Sequence, residues 1–118
     1  MGRSIPVRIG QKEFKSKDAA KRYFMDQREA VKESGPLRDG QLFEELRGLY
    51  TRYCELTNWD MSNRVIYAFS VDYETRHTDQ NYGTYMCYWV QFSPKDKLSF
   101  SLPEAVDVIA KAAAAEQL

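Results

Sequence analysis

The amino-acid sequence predicts a single α+β domain: a short N-terminal β-hairpin, two antiparallel helices, a three-stranded antiparallel meander and a C-terminal helix. Three observations carry that prediction. Apolar residues recur at helical spacing over 17–32 and again over 39–55. The period then drops to two over 65–73 and 82–93, and helical spacing returns from Leu102. The 118 residues suit one domain able to bury roughly two-thirds of its unfolded surface. No repeat or linker divides them.

Each element has a local cause. Ile5, Val7 and Ile9 alternate with Pro6 and Arg8, and Gly10-Gln11 offers a tight turn into Lys12-Glu13-Phe14. Ser16 is placed to cap a helix from about Lys17 to Lys32, whose apolar side holds Ala20, Tyr23, Phe24, Gln27, Ala30 and Val31. Gly35-Pro36 ends it. Asp39 is the expected cap of a second helix to about Glu55, with Leu42, Phe43, Leu46, Leu49, Tyr50 and Tyr53 as its stripe. The short link between the two predicts an antiparallel pair.

Val65, Tyr67, Phe69, Val71 and Tyr73 then share one strand face, and Ile66, Ala68, Ser70 and Asp72 the other. The polar run ETRHTDQNYG reads as a loop into the strand YGTYMCYWVQFS. A turn at Ser93-Pro94-Lys95-Asp96 leads to a third strand, KLSFS, with Leu98 and Phe100 inward. Ser101 and Glu104 form a capping-box pair before the last helix, which buries Leu102, Ala105, Val106, Ile109 and Ala113 and frays over 112–118.

Composition narrows the chemistry. The formal net charge is zero, yet residues 1–32 hold nine Lys and Arg against four Asp and Glu, so the remainder is acidic. Two cysteines, Cys54 and Cys87, and one histidine, His77, supply no CxxC or HxxxH spacing, which argues against zinc and for free thiols in a reducing cell. There is neither an apolar leader nor a run of about 20 apolar residues, so a soluble cytoplasmic protein without membrane contact is expected.

Three groups of residues could bind a partner. Lys17, Lys21, Arg28 and Lys32 fall within about 60° of arc on the first helix, beside Phe24, with Lys12 and Lys15 nearby. Such a stripe could contact phosphates, or simply be a solvated face. Tyr85 and Trp89, with Tyr67 and Tyr73 on the adjacent strand, could stack on unpaired bases, unless helices cover them. Arg76, His77 and Tyr82 in the polar loop could contact a phosphate and a base. His77 with Asp79 could be an acid–base pair, but no nucleophile or second carboxylate completes it, so no enzyme and no cofactor are expected.

Several strings resemble the DCL-like (DeCL) domain family, named from the plant "defective chloroplasts and leaves" protein. They are Phe14-Lys15-Ser16-Lys17 with Ala20 and Phe24, then Leu37, Asp39, Phe43 and Leu46, then Cys87-Tyr88-Trp89-Val90 and Phe100-Ser101. The resemblance covers about residues 7–108. It implies a small module tied to RNA metabolism and carries over no catalytic residues. The sequence departs from the family at Tyr53, where a His is frequent, at Pro94-Lys95-Asp96-Lys97, where Asp-Gly is frequent, and at Ala105, where a Cys stands. These departures, with no transit peptide, point to a bacterial or phage origin. The expected function is a non-enzymatic module that binds RNA or single-stranded nucleic acid, or acts within an RNA-processing or transcription assembly. The alternative is a protein–protein adaptor, of phage or mobile-element origin, without nucleic-acid contact.

Overall fold

A computed structural model of the chain describes residues 6–9, 12–59, 64–77 and 82–116, with the backbone alone for 75–77, 82–85 and 116. Strands β1 (Val7–Ile9) and β2 (Lys12–Phe14) form the expected hairpin, pairing Val7 with Phe14 and Ile9 with Lys12. Val7, Ile9 and Phe14 are buried, so this small ribbon sends its apolar face into the core. Its two-residue turn lies outside the described residues.

Ser16 caps α1 (Lys17–Met25): its Oγ accepts the Ala19 N–H at 3.2 Å. The predicted single helix over 17–32 is in fact two. The chain turns at Asp26-Gln27 and resumes as α2 (Arg28–Ser34). Side chains take up the carbonyls that the break releases. Gln27 Nε2 donates to the Tyr23 carbonyl at 2.9 Å, and Arg28 Nε donates to that of Met25 at 3.0 Å. Arg28 Nη1 reaches across to the Met86 carbonyl at 3.0 Å, so the break docks α2 on the sheet.

The link to α3 (Gln41–Thr57) is not a tight helix–helix turn. It runs along the sheet, where Leu37 and Phe69 exchange both backbone hydrogen bonds, at 2.7 and 3.0 Å. Gly40, not Asp39, is the N-cap, at φ +96°, a conformation that a side chain at this position would strain. The helix α4 (Leu102–Glu116) packs against both α1 and α3. Of the predicted capping box the serine half forms, with the Glu104 N–H bonded to Ser101 Oγ at 3.2 Å, while the Glu104 carboxylate accepts from Tyr53 Oη. The alanine-rich tail stays helical to Glu116.

Strands β3 (Ala68–His77), β4 (Tyr82–Gln91) and β5 (Lys97–Phe100) make the antiparallel meander in the order β3-β4-β5. Most of the polar run read as a loop is strand: Thr75 pairs with Thr84, Arg76 with Gly83 and His77 with Tyr82. Phe69, Val71, Tyr88, Val90 and Phe100 face the helices, and Tyr88 Oη donates to the buried Phe24 carbonyl at 2.6 Å.

The strict alternation predicted from Val65 onward breaks at a bulge. Gln91 faces Ala68 in the ladder, and its carbonyl also accepts the Tyr67 N–H at 2.8 Å. Two residues thus oppose one. Upstream of the bulge the facing inverts, so Ile66 is buried and Val65 is 80% exposed. Leu98, expected inward, sits on the outer strand and is 40% exposed.

Candidate functional site

The cations and the indole singled out in the sequence do not share a surface. Lys21 Nζ lies 2.7 Å and Lys17 Nζ 3.9 Å from Asp107 Oδ1, so both bind α1 to α4. Arg28 is held by the two carbonyls described above. Lys12 Nζ stands over the rings of Tyr23 at 4.9 Å and Phe14 at 5.6 Å. Lys15 is exposed in the turn before the Ser16 cap. Lys32 Nζ stands 5.2 Å from the Tyr73 ring.

Trp89 pairs with Ser70 on one side and Ser99 on the other, so it occupies the sheet face opposite the one that receives α1 and α2. It is half-buried beneath Lys97 Nζ at 5.1 Å, and its Nε1 has neither solvent contact nor a hydrogen-bond partner. Tyr73 does not join it, because directly paired residues share a face and Tyr73 pairs with Met86, not with an odd-numbered β4 residue; Tyr67, beyond the bulge, is engaged by Arg38 instead. The side chains of Arg76, His77, Tyr82 and Tyr85 lie outside the described residues, as does Asp79.

Two other surfaces emerge, one at each edge of the sheet. Along β3, Leu37 occupies the backbone groups of Phe69, and an exposed tyrosine stands on either side. Tyr73 is 53% exposed, beneath Lys32. Tyr67 is 37% exposed, with the Arg38 guanidinium 6.0 Å from its ring and Arg38 Nη1 donating to its Oη at 3.4 Å. Each ring keeps open surface and carries a cation on it.

At the β5 edge, α3 ends in a Schellman motif: Asn58 turns left-handed at φ +58°, and the Trp59 N–H bonds to the Cys54 carbonyl at 3.0 Å. This folds Trp59 back against Tyr50, ring centroids 6.3 Å apart at 72°, with 42% of its surface exposed. Tyr53 Oη donates to Glu104 Oε2 at 2.9 Å, and Ser99 Oγ donates to Glu74 Oε1. Together they line an open cleft of about 800 Å³ whose described lining holds two carboxylates and no Lys or Arg.

Burial pushes the Tyr50 hydroxyl far above its ordinary range. Burial first, and then the Glu104 carboxylate, raises Tyr53. Burial also raises the Cys54 thiol, which packs in the hydrophobic core. A larger hollow of about 1250 Å³ along α3 mixes both signs, with Arg47 bridged to Glu44 and Arg52 to Glu55, and so selects neither.

Sequence reasoning missed Arg38 and Trp59 as surface groups. Asn58, placed just after the apolar stripe of α3 ends, is the helix-stop signal from which the position of Trp59 could have been read. No pattern in the sequence marks Arg38, which reaches Tyr67 only because Leu37 joins the sheet. Among the described residues no three His, Cys, Asp or Glu side chains gather to hold a metal, and no helix is long and apolar enough to cross a membrane. The chain matches no family model, no curated protein and no solved structure.

Proposed function

We propose that this chain is a small non-enzymatic module that binds RNA or single-stranded nucleic acid along the β3 edge, within a cytoplasmic RNA-processing or transcription assembly of a bacterium or phage. The observation that carries the reading is the pair of open tyrosine rings, Tyr67 and Tyr73, each with a cation on it. An unpaired base can stack on such a ring, and the neighbouring cation can meet its phosphate. The two rings lie six residues apart, about 20 Å along the strand. The bulge turns them to opposite sides of β3, so a single strand that holds a base on each crosses the sheet edge at Leu37. The strings that resemble the DCL-like family agree with this reading, and membership in that family is part of the proposal.

Arg38 and Lys32 are few cations, and α2 also carries Glu29 and Glu33. Binding is therefore modest, with a shallow salt slope of about −1.4 for two phosphate contacts on a single strand. Filter binding to a mixed-sequence single-stranded RNA pool tests the reading. The Tyr67→Ala/Tyr73→Ala double variant should lose most of the retention, while Lys17→Ala/Lys21→Ala should keep it. Retention that depends on Lys17 and Lys21 but not on the tyrosines would overturn it. A protein-adaptor role has its own support in the cleft at the opposite edge.

A further inference from the structure

We infer that the cleft at the β5 edge takes an arginine side chain presented by an extended segment of a protein partner, whose backbone joins the sheet beside β5. This site is separate from the proposed nucleic-acid surface and lies at the other edge of the sheet.

Four features converge on that occupant. The first is a free backbone edge. The Phe92 N–H bonds to the Asp96 carbonyl at 2.8 Å, and this sets the alternation of the β4–β5 ladder. Val90–Leu98 and Tyr88–Phe100 are then the bonded pairs, and the N–H and C=O groups of Lys97 and Ser99 point outward. Among the described residues no backbone group meets them. An added strand satisfies such an edge.

The second is aromatic walls. Tyr50 forms the floor and contacts Phe100 at 5.1 Å, while Tyr53 and Trp59 rise beside it. A guanidinium stacks well on rings of this kind. The third is charge. Glu104 places a carboxylate at the rim, and Tyr53 engages only one of its oxygens. The last turn of α3, the partially negative end of a 17-residue helix, carries no basic residue. The described lining adds no Lys or Arg to oppose an incoming cation. The fourth is access. The Lys97 side chain, which could have guarded this edge, lies over Trp89 and does not line the cleft.

An arginine fits better than a lysine because its planar fork can stack on Trp59 and bond the Glu104 carboxylate together. A polyanion is disfavoured by the same carboxylates.

The test is calorimetric titration of the full chain with a capped hexapeptide alternating valine and arginine. Comparison peptides carry citrulline or glutamate in place of arginine. Saturable binding is expected, weakened about 10-fold or more by citrulline and abolished by glutamate. Trp59→Ala should weaken it to a similar degree. Glu104→Gln, which keeps an acceptor for Tyr53 and removes the charge, should weaken it less but clearly. Amide shifts on binding should centre on Lys97 and Ser99. The inference is overturned if citrulline binds as well as arginine or if Trp59→Ala changes nothing. It also fails if single-stranded RNA displaces the peptide from the cleft, or if a Trp59-dependent dimer of the chain occupies the edge instead. None of these outcomes touches RNA retention through Tyr67 and Tyr73, so the two readings stand or fall separately.

Discussion

The two edges of one three-stranded sheet are finished in opposite ways. At β3 the backbone is partly capped by Leu37, and the exposed rings of Tyr67 and Tyr73 lie under Arg38 and Lys32. At β5, among the described residues, no backbone group meets those of Lys97 and Ser99, and the rings of Tyr53 and Trp59 stand beside Glu104. Both edges are aromatic. One presents cations on its rings and the other presents carboxylates, so a chain with zero net charge carries two surfaces of opposite preference. Whole-chain charge says nothing of either. The sign of a surface is set by which side chains the fold has already paired off, as Lys17 and Lys21 are with Asp107.

The strongest perturbation should erase the contrast altogether. The Phe69 ring packs between the edges, 5.8 Å from Phe43, 6.3 Å from Phe100 and 6.4 Å from Tyr50, while its backbone holds Leu37. Phe69→Ala should cost about 3–5 kcal/mol in urea unfolding and abolish binding at both edges together. A variant that lost only one would show that the edges are independently supported.

Next in size is the selective lesion. Removing both Tyr67 and Tyr73 should weaken RNA binding by roughly 30-fold or more, about 2 kcal/mol, since base stacking is worth about 1–3 kcal/mol per ring. Peptide binding at β5 should stay within a factor of two of the wild type. Equal loss at both edges would place the tyrosines in the scaffold rather than on a surface.

Alkaline titration separates the two sides by what lies beneath them. Burial raises the hydroxyls of Tyr50 and Tyr53 by the β5 cleft, and that of Tyr88 under α1. Each folded-state value lies above the unfolded one near 10, so the folded chain holds these protons more tightly. Stability should be level from pH 7 to 9 and fall as pH rises past 10, in thermal melts followed by circular dichroism. Tyr88→Phe should remove the part that belongs to the α1 side, at a cost near neutral pH of about 1 kcal/mol for the lost bond to Phe24. A stability curve still rising above pH 10 would contradict this.

The smallest effect belongs to the former candidates. Lys21→Ala breaks an ion pair with a half-exposed Asp107 and should cost no more than about 0.5 kcal/mol, with RNA and peptide binding unchanged. A larger loss of RNA retention would restore the first helix as a binding face.

The order of elements was legible because periodicity is a local property: the hairpin, the stripe of α3, the three strands and the Ser101 cap can all be read from neighbouring residues. The long-range decisions were not. The break at Asp26-Gln27 depends on Arg28 finding a carbonyl 58 residues away. The β3–β4 hairpin extends through polar residues because cross-strand pairing outweighs their turn propensity. The basic stripe was expected on one helix, but the break divides it, with Arg28 and Lys32 on α2 and with Lys17 and Lys21 on α1 facing Asp107, which belongs to an element about 90 residues further on. Of the candidate cations whose side chains are described, Lys32 alone stands over an exposed tyrosine, and its ring is Tyr73 rather than one of the named β4 residues.

The extra residue opposite Gln91 makes the start of β3 sensitive to chain length. Losing Tyr67 itself would restore even pairing, with Ile66 still inward and Val65 still outward. The interior would scarcely notice the change. The phenol that meets Arg38 would nevertheless be gone, so a lineage could silence the proposed nucleic-acid edge by a three-nucleotide deletion while leaving the fold intact.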